Sequence, residues 1–466
     1  MKRNAAILLS LLILAGLPPL GFGYFNRLQA ENLRQNSPAQ ASSHYQTAAR
    51  LLFWEPGLRE KAGLAAFEAD DMERAYSLLL DAQEQETLSP DGWLTLGEIH
   101  RLNGDLDSAY AQAWIPLSGT GFASPALLAR LAEYAAYKQD SPLEILYLNQ
   151  LLNLAPENAP AHYRLAILLA NDSPETALSR LEQANLLDAS LQPNIDILRG
   201  ALKESLNQED SAYRHILTGR ALANLGEWTL ALEAFRAAAS ENPDYAEAWA
   251  WQAESMYQLG QDPNLVQLYY EKALALNPNA AGIQAMAGLY RERSRDYPQA
   301  EAHYLRAAQL EPQNPAWRLA LAGVVARRDL PAALEYYLAA TKIAPADSST
   351  WISLAAFSVE NEAYLPNYGL EAALRAYALE PENPQVLGLL GRALAATGEI
   401  ETAQIMYEKA IALAPDLPAP RFHLALLHLQ TGQRVQARQA FEDVARLDPG
   451  GPYGQQAQEI LARYFP

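Results

Sequence analysis

Along the last third of the chain, apolar and polar positions follow two superposed periods. Within a dozen residues the apolar positions fall three and four apart, as on one face of a helix. Leu387, Leu390 and Leu394 form such a stripe over Gln385 to Thr397. Gly398 follows, and glycine accepts the left-handed backbone that closes a helix. A second stripe, Ala403, Tyr407, Ala410 and Ile411, predicts a helix from Ile400 to Ala414, and Pro415 ends it. The longer period is 34 residues. Leu387, Gly391, Gly398, Ala403, Tyr407, Ala410 and Pro415 return as Arg421, Ala425, Gly432, Ala437, Phe441, Val444 and Pro449. Such a unit has room for two helices of roughly 12–14 residues and two turns. One helix pair cannot bury its own apolar face, so the pattern predicts a stack of pairs.

The prolines carry the period back through the chain. Pro243, Pro278, Pro312, Pro345, Pro381, Pro415 and Pro449 are 35, 34, 33, 36, 34 and 34 residues apart. Small and aromatic residues keep phase with them in Gly219-Gly226-Ala231-Phe235-Ala238-Pro243 and in Gly288-Ala300-Tyr304-Ala307-Pro312. Trp93-Leu96-Gly97-His100-Gly104-Ala109 fits the same frame. On these residues the chain resembles the tetratricopeptide repeat family from about Ser43 to Pro466. The resemblance implies an all-α fold, a right-handed superhelical α-solenoid of antiparallel helix pairs, with no strands. It also implies that the first helix of each pair lines a concave groove in which ligands lie.

Read in order, the chain opens with Lys2-Arg3 and the apolar run Ala5 to Leu17. Residues 1–25 are expected to be a signal peptide or a single membrane anchor. The run through Phe25 counts 21 residues, enough to cross a bilayer once. A retained anchor would leave the basic end cytoplasmic and the repeats outside; cleavage would give a secreted protein, and a buried core helix is a third reading. Residues 26–43 read as a polar tether or a frayed helix. Repeat-like units follow over 44–189, with helices expected at 45–53, 58–69 and 72–86. The unit from Pro90 departs after Ala113, where Pro116 and Ser118-Gly119-Thr120-Gly121 are expected to replace the end of its second helix. Residues 190–210 supply one helix and read as a degenerate half unit or an inserted helix. A regular array runs over 211–449, with extra residues at Tyr364 to Tyr368. Residues 450–466 read as a capping helix, with Gln455, Gln456, Gln458, Glu459 and Arg463 toward solvent.

Charge narrows the partners. The formal net charge is −19, which argues against nucleic acid and anionic membrane surfaces as main partners. There is no cysteine, which removes disulfides, thiol catalysis and cysteine-bound zinc. No phosphate-binding loop, nucleophile elbow or paired-histidine zinc motif occurs. The seven histidines are scattered, and His100 and His428 stand at packing positions of the repeat. The sequence therefore predicts no enzyme, no cofactor and no metal site.

The resemblance places candidate groove residues at Tyr213, Ile216, Arg220, Trp251, Glu254, Tyr257, Arg293 and Arg392. Tyr, Trp and Arg are the side chains that most often dominate interface energy. Trp251 has two readings, a cover for a neighbouring helix or a ligand contact. The family's carboxylate clamp uses lysine and asparagine at groove positions, and no lysine occupies one here. The expected function is a non-catalytic scaffold binding a protein or peptide segment in the groove, at the extracytoplasmic side of a membrane. The alternative is a subunit that holds an enzyme partner in envelope assembly or polysaccharide export.

Overall fold

The computed structural model describes residues 19–465, and among them there are helices and no strand. Residues 1–18 of the expected signal or anchor lie outside the described residues. Among the described residues no helix is long and apolar enough to cross a membrane. The chain divides into two compact units, residues 1–209 with 224–226, and residues 210–223 with 227–466.

The second unit is built of antiparallel pairs. They are Ser211–Asn224 with Trp228–Glu241, Ala246–Gln258 with Pro263–Leu276, and Ala281–Arg293 with Tyr297–Leu310. Pro315–Val325 with Leu330–Ile343, Ser348–Glu360 with Leu370–Leu379, Pro384–Thr397 with Ile400–Leu413, and Pro418–Gln430 with Arg434–Leu447 follow. Local chemistry explains the starts. Asn314, Asp347 and Asn383 each accept a hydrogen bond from the backbone two residues on, and Pro315 and Pro384 occupy the first helical position. The last helix, Pro452–Tyr464, buries Ala457 against Phe441 and Val444, while Gln455, Gln456, Gln458, Glu459 and Arg463 face solvent.

Four pairs close on a glycine facing a large residue 16 positions later. A Cβ on Gly391 would lie 2.6 Å from Tyr407, one on Gly219 2.6 Å from Phe235, and one on Gly288 2.9 Å from Tyr304. In the first unit Gly63 faces Leu79 in the same way. No side chain fits between these helices, so the glycines are steric requirements.

A second device recurs at the proline turns. The side chain six residues after the proline donates to the proline carbonyl, which the ended helix leaves unpaired. Trp249 Nε1 reaches Pro243 at 2.8 Å, Gln284 Nε2 reaches Pro278 at 2.9 Å, and Trp351 Nε1 reaches Pro345 at 2.8 Å. Arg318 and Arg421 serve Pro312 and Pro415. Only the donor is constant, which is why Trp, Gln and Arg share the position.

The first unit departs from the sequence reading in two places. The second helix of the pair starting at Pro90–Leu102 does not stop before Pro116. It runs Leu106–Ala109, makes a π turn at Tyr110–Trp114, and continues as Ile115–Gly119. The π turn absorbs one extra residue, so Gly97 faces Trp114, 17 positions on instead of 16. A second π turn, Leu365–Gly369, takes up the extra residues before Leu370.

The stretch 26–43 is not a free tether. Residues 19–33 are helical, and Pro38–Leu51 follows. Ala30 and Ala41 are fully buried with Tyr45 and Leu52, and Asn26 pairs with His44 at 2.7 Å. The helical alternative is the one that holds, and its inner face is built of small and polar residues with Leu20 and Leu33. Residues 190–210 hold a 3₁₀ turn, Ala189–Leu191, and one helix, Gln192–Leu206. Its Ile195, Leu198 and Leu202 are buried, and it packs on Pro174–Leu187.

Candidate functional site

A cleft of the second unit has a volume of about 900 Å³. It is lined from the first helices of four consecutive pairs, by Arg220, then Glu247 and Trp251, then Ile283 and Met286, then Trp317. Tyr304 from a second helix and the turn residues Asp244, Asn277 and Glu311 complete it. Its floor is apolar, and its rim carries three carboxylates and one guanidinium.

The rim side chains hold one another. Trp251 Nε1 donates to Glu247 Oε1 at 3.2 Å, and Arg220 stands 3.8 Å from the same carboxylate. Trp317 Nε1 donates to Glu311 Oε2 at 2.8 Å. Trp251 also stacks on the buried ring of Phe235, with centroids 5.5 Å apart. This tryptophan therefore covers a neighbouring helix and also lines the cleft. Tyr245 borders Arg220 and Trp251. Burial, with the Glu247 and Asp210 carboxylates adding to it, pushes its phenol up to about 12, so it stays a neutral donor. Tyr213 lies near Tyr245, half-buried.

Glu254, Tyr257 and Arg293 belong elsewhere. Glu254 is 6% exposed and stands 35 residues after Gly219 and 34 before Gly288, in the small-residue slot. It is not a groove residue. Its carboxylate accepts from Tyr270 Oη at 2.9 Å, from Gln258 Nε2 at 2.8 Å and from Arg293 Nη1 at 2.7 Å. Arg293 in turn lies over the Tyr257 ring, 5.0 Å from its centroid. This is a hydrogen-bonded network around a buried carboxylate, reached by Gln258 and Arg293 from the exposed surface. Arg392 is remote from both groups and lines two smaller cavities with His423.

Of the residues nominated from the sequence, Arg220 and Trp251 line this cleft; Tyr245, Glu247, Met286 and Trp317 line it too and were not nominated. The cleft takes in the first helices and the turns before them, so it includes only some of the groove positions carried by the resemblance. Tyr245 and Trp317, aromatics flanking the proline turns, were the available signal.

Residues 216–281, 285–348 and 384–417 match models of the tetratricopeptide repeat. Among solved structures the chain is similar to yeast Tom70, at 17% identity, 95% coverage of each chain and a TM-score of 0.43. It is similar to the Cut9–Hcn1 heterotetramer of the APC/C at 13% identity, covering 95% of this chain and 96% of that one, with a TM-score of 0.44. YrrB, described as a repeat protein of this kind with an unusual peptide-binding site, is 23% identical and matches 43% of this chain and 99% of its own, with a TM-score of 0.34. No curated protein has a matching sequence. These residues thus carry tetratricopeptide repeats, and the described residues form an all-helical fold.

Proposed function

We propose that this array of tetratricopeptide repeats is a non-catalytic scaffold that holds a segment of a partner protein in the cleft between Arg220 and Trp317. One observation carries the reading. The cleft runs across the first helices of four successive pairs, and its polar rim is already hydrogen-bonded within itself. A preformed apolar surface of that length suits an extended or helical segment and costs little ordering on binding. Its lining supplies contact area and charge.

The same proposal places the protein at a membrane, held by residues 1–25, with the repeats on the extracytoplasmic side. Lys2 and Arg3 ahead of Ala5 to Leu17 support that orientation.

Gly282 offers the test. It lines the cleft, and a Cβ there meets nothing within 4 Å. Gly282→Trp should therefore fill the cleft without straining the fold. Crosslinking pull-downs from native membranes should recover a partner with the wild-type chain and lose it with the variant, at equal thermal stability. The same partner recovered with both proteins would move the binding site off this cleft.

A further inference from the structure

Exposed phenylalanine and tryptophan are confined to one end of the first unit. Among the described residues, the exposed members of both types are Phe22, Phe25, Phe53 and Trp54, with Tyr24 and Leu28 beside them. Phe53, at 81%, is the most exposed large apolar side chain of the described residues. The other exposed apolar residues are mostly single aliphatic side chains along helix surfaces, which is ordinary. A cluster of aromatics facing water marks an interaction surface.

The two aromatic pairs sit at one level. A Cβ on Gly23 would lie 2.8 Å from Leu52 Cγ, and Arg27 pairs with Glu55. The turn carrying Phe53 and Trp54 is therefore docked on helix 19–33 between residues 23 and 27. Phe22 and Phe25 stack with centroids 6.5 Å apart, and Phe53 meets Trp54 edge-on at 5.0 Å. Arg50, exposed one turn before Phe53, has no ion-pair partner among the described residues.

The chain just upstream indicates what covers this face. Ala5 to Leu17 is 13 residues, short of the roughly 20 that cross a bilayer. The apolar run reaches that length only by continuing through Phe25. Gly23 is fixed against Leu52, so a bilayer that takes in residue 25 takes in Phe53 and Trp54 as well. Aromatic rings at the end of an apolar run form the belt that sits at lipid headgroups, and a free arginine beside them can reach phosphate.

We propose that Phe22, Phe25, Phe53 and Trp54 form a membrane-interface platform that seats the first helix pair directly in the headgroup layer. The repeats would then stand on the bilayer at a fixed level. This rests on the membrane attachment proposed above.

The test uses the full chain in phosphatidylcholine–phosphatidylglycerol vesicles with brominated acyl chains, read by flotation and by tryptophan quenching, alongside Trp54→Phe. The chain should float, and bromine-dependent quenching should be present in the wild type and lost in the variant, with unchanged circular dichroism. Flotation with equal quenching in both proteins would leave the tether standing and overturn the platform. Failure to float would overturn both. Self-association without lipid that Phe53→Ser abolishes would assign the face to a second copy of the chain and overturn it too.

Discussion

Tyr270 donates its hydroxyl hydrogen bond to Glu254 across 2.9 Å, at a slot where the pairs on either side have glycine. Glycine leaves room for the facing ring, whereas glutamate gives that ring a partner. The carboxylate is in turn held by Gln258 and Arg293. Burial, and then Glu254 itself, keeps the Tyr270 phenol far above its ordinary range, so it remains a donor.

Breaking this network should cost more than breaking a surface ion pair. Glu254→Ala leaves the Tyr270 hydroxyl and the Arg293 guanidinium without their acceptor. Arg293 keeps partial access to water, which softens the loss, so we expect about 2–3 kcal/mol by urea unfolding. Tyr270→Phe keeps the ion pair and should cost about 1 kcal/mol. Equal losses from both variants would mean that the Arg293 pair contributes nothing.

The glycine slot gives a sharper test in the pair ending at Pro415. Gly391→Leu drives a side chain into the Tyr407 ring and should cost on the order of 1–3 kcal/mol or more. Tyr407→Leu in the same molecule should recover part of that loss, because Gly63 already faces a leucine at this spacing. Stacked pairs share their interfaces, so amide exchange should quicken in the neighbouring pairs as well. Exchange that changes only within Pro384–Thr397 would contradict the shared interface.

The donors at the proline turns are testable one at a time. Trp351→Phe keeps most of the apolar area and loses the hydrogen bond to Pro345. Pro345 is exposed, so water replaces part of that bond, and the expected cost is about 0.5–1 kcal/mol. Phe and Trp of equal stability here would show the carbonyl to be fully served by solvent.

How far the sequence could be read follows from which signals are local. Gly391, Tyr407 and Pro415 each do one job within one helix pair, so their spacing predicts the pairs and the all-helical class. Trp114 shows the limit. Its place opposite Gly97 depends on a π turn at Tyr110–Trp114, and nothing in the apolar spacing distinguishes that turn from a broken helix. Glu254 shows a second limit. As a charged residue it reads as groove-facing, and only Tyr270 and Arg293, 16 and 39 residues further on, make it an interior residue. Arg220 and Trp251 were nominated because they stand at groove positions of the resemblance and are of interface-forming type. Their grouping with Glu247 and Trp317 comes from the stacking of successive pairs, which periodicity does not specify.

A pH dependence follows from His423. Its ring lies between Tyr407 and Tyr453, with centroids 6.3 and 6.1 Å away, and near Arg392. Burial, with the Arg392 charge adding to it, pulls the imidazole down to about 4 from its ordinary 6.5. Below pH 6.5 the unfolded chain takes up a proton that the folded chain refuses until about pH 4. The contribution is therefore fully present above pH 6.5 and is lost as pH falls through that window. The full shift corresponds to roughly 3 kcal/mol, and a half-buried ring places the measurable loss at about 1–3 kcal/mol. His303 is shifted in the same direction, by burial and by Arg291, and carboxylates titrate nearby, so the comparison has to be a difference. The stability of the wild type minus that of His423→Gln should fall steadily between pH 6.5 and 4. A difference that stays flat over that range would mean that water reaches the imidazole in the folded protein.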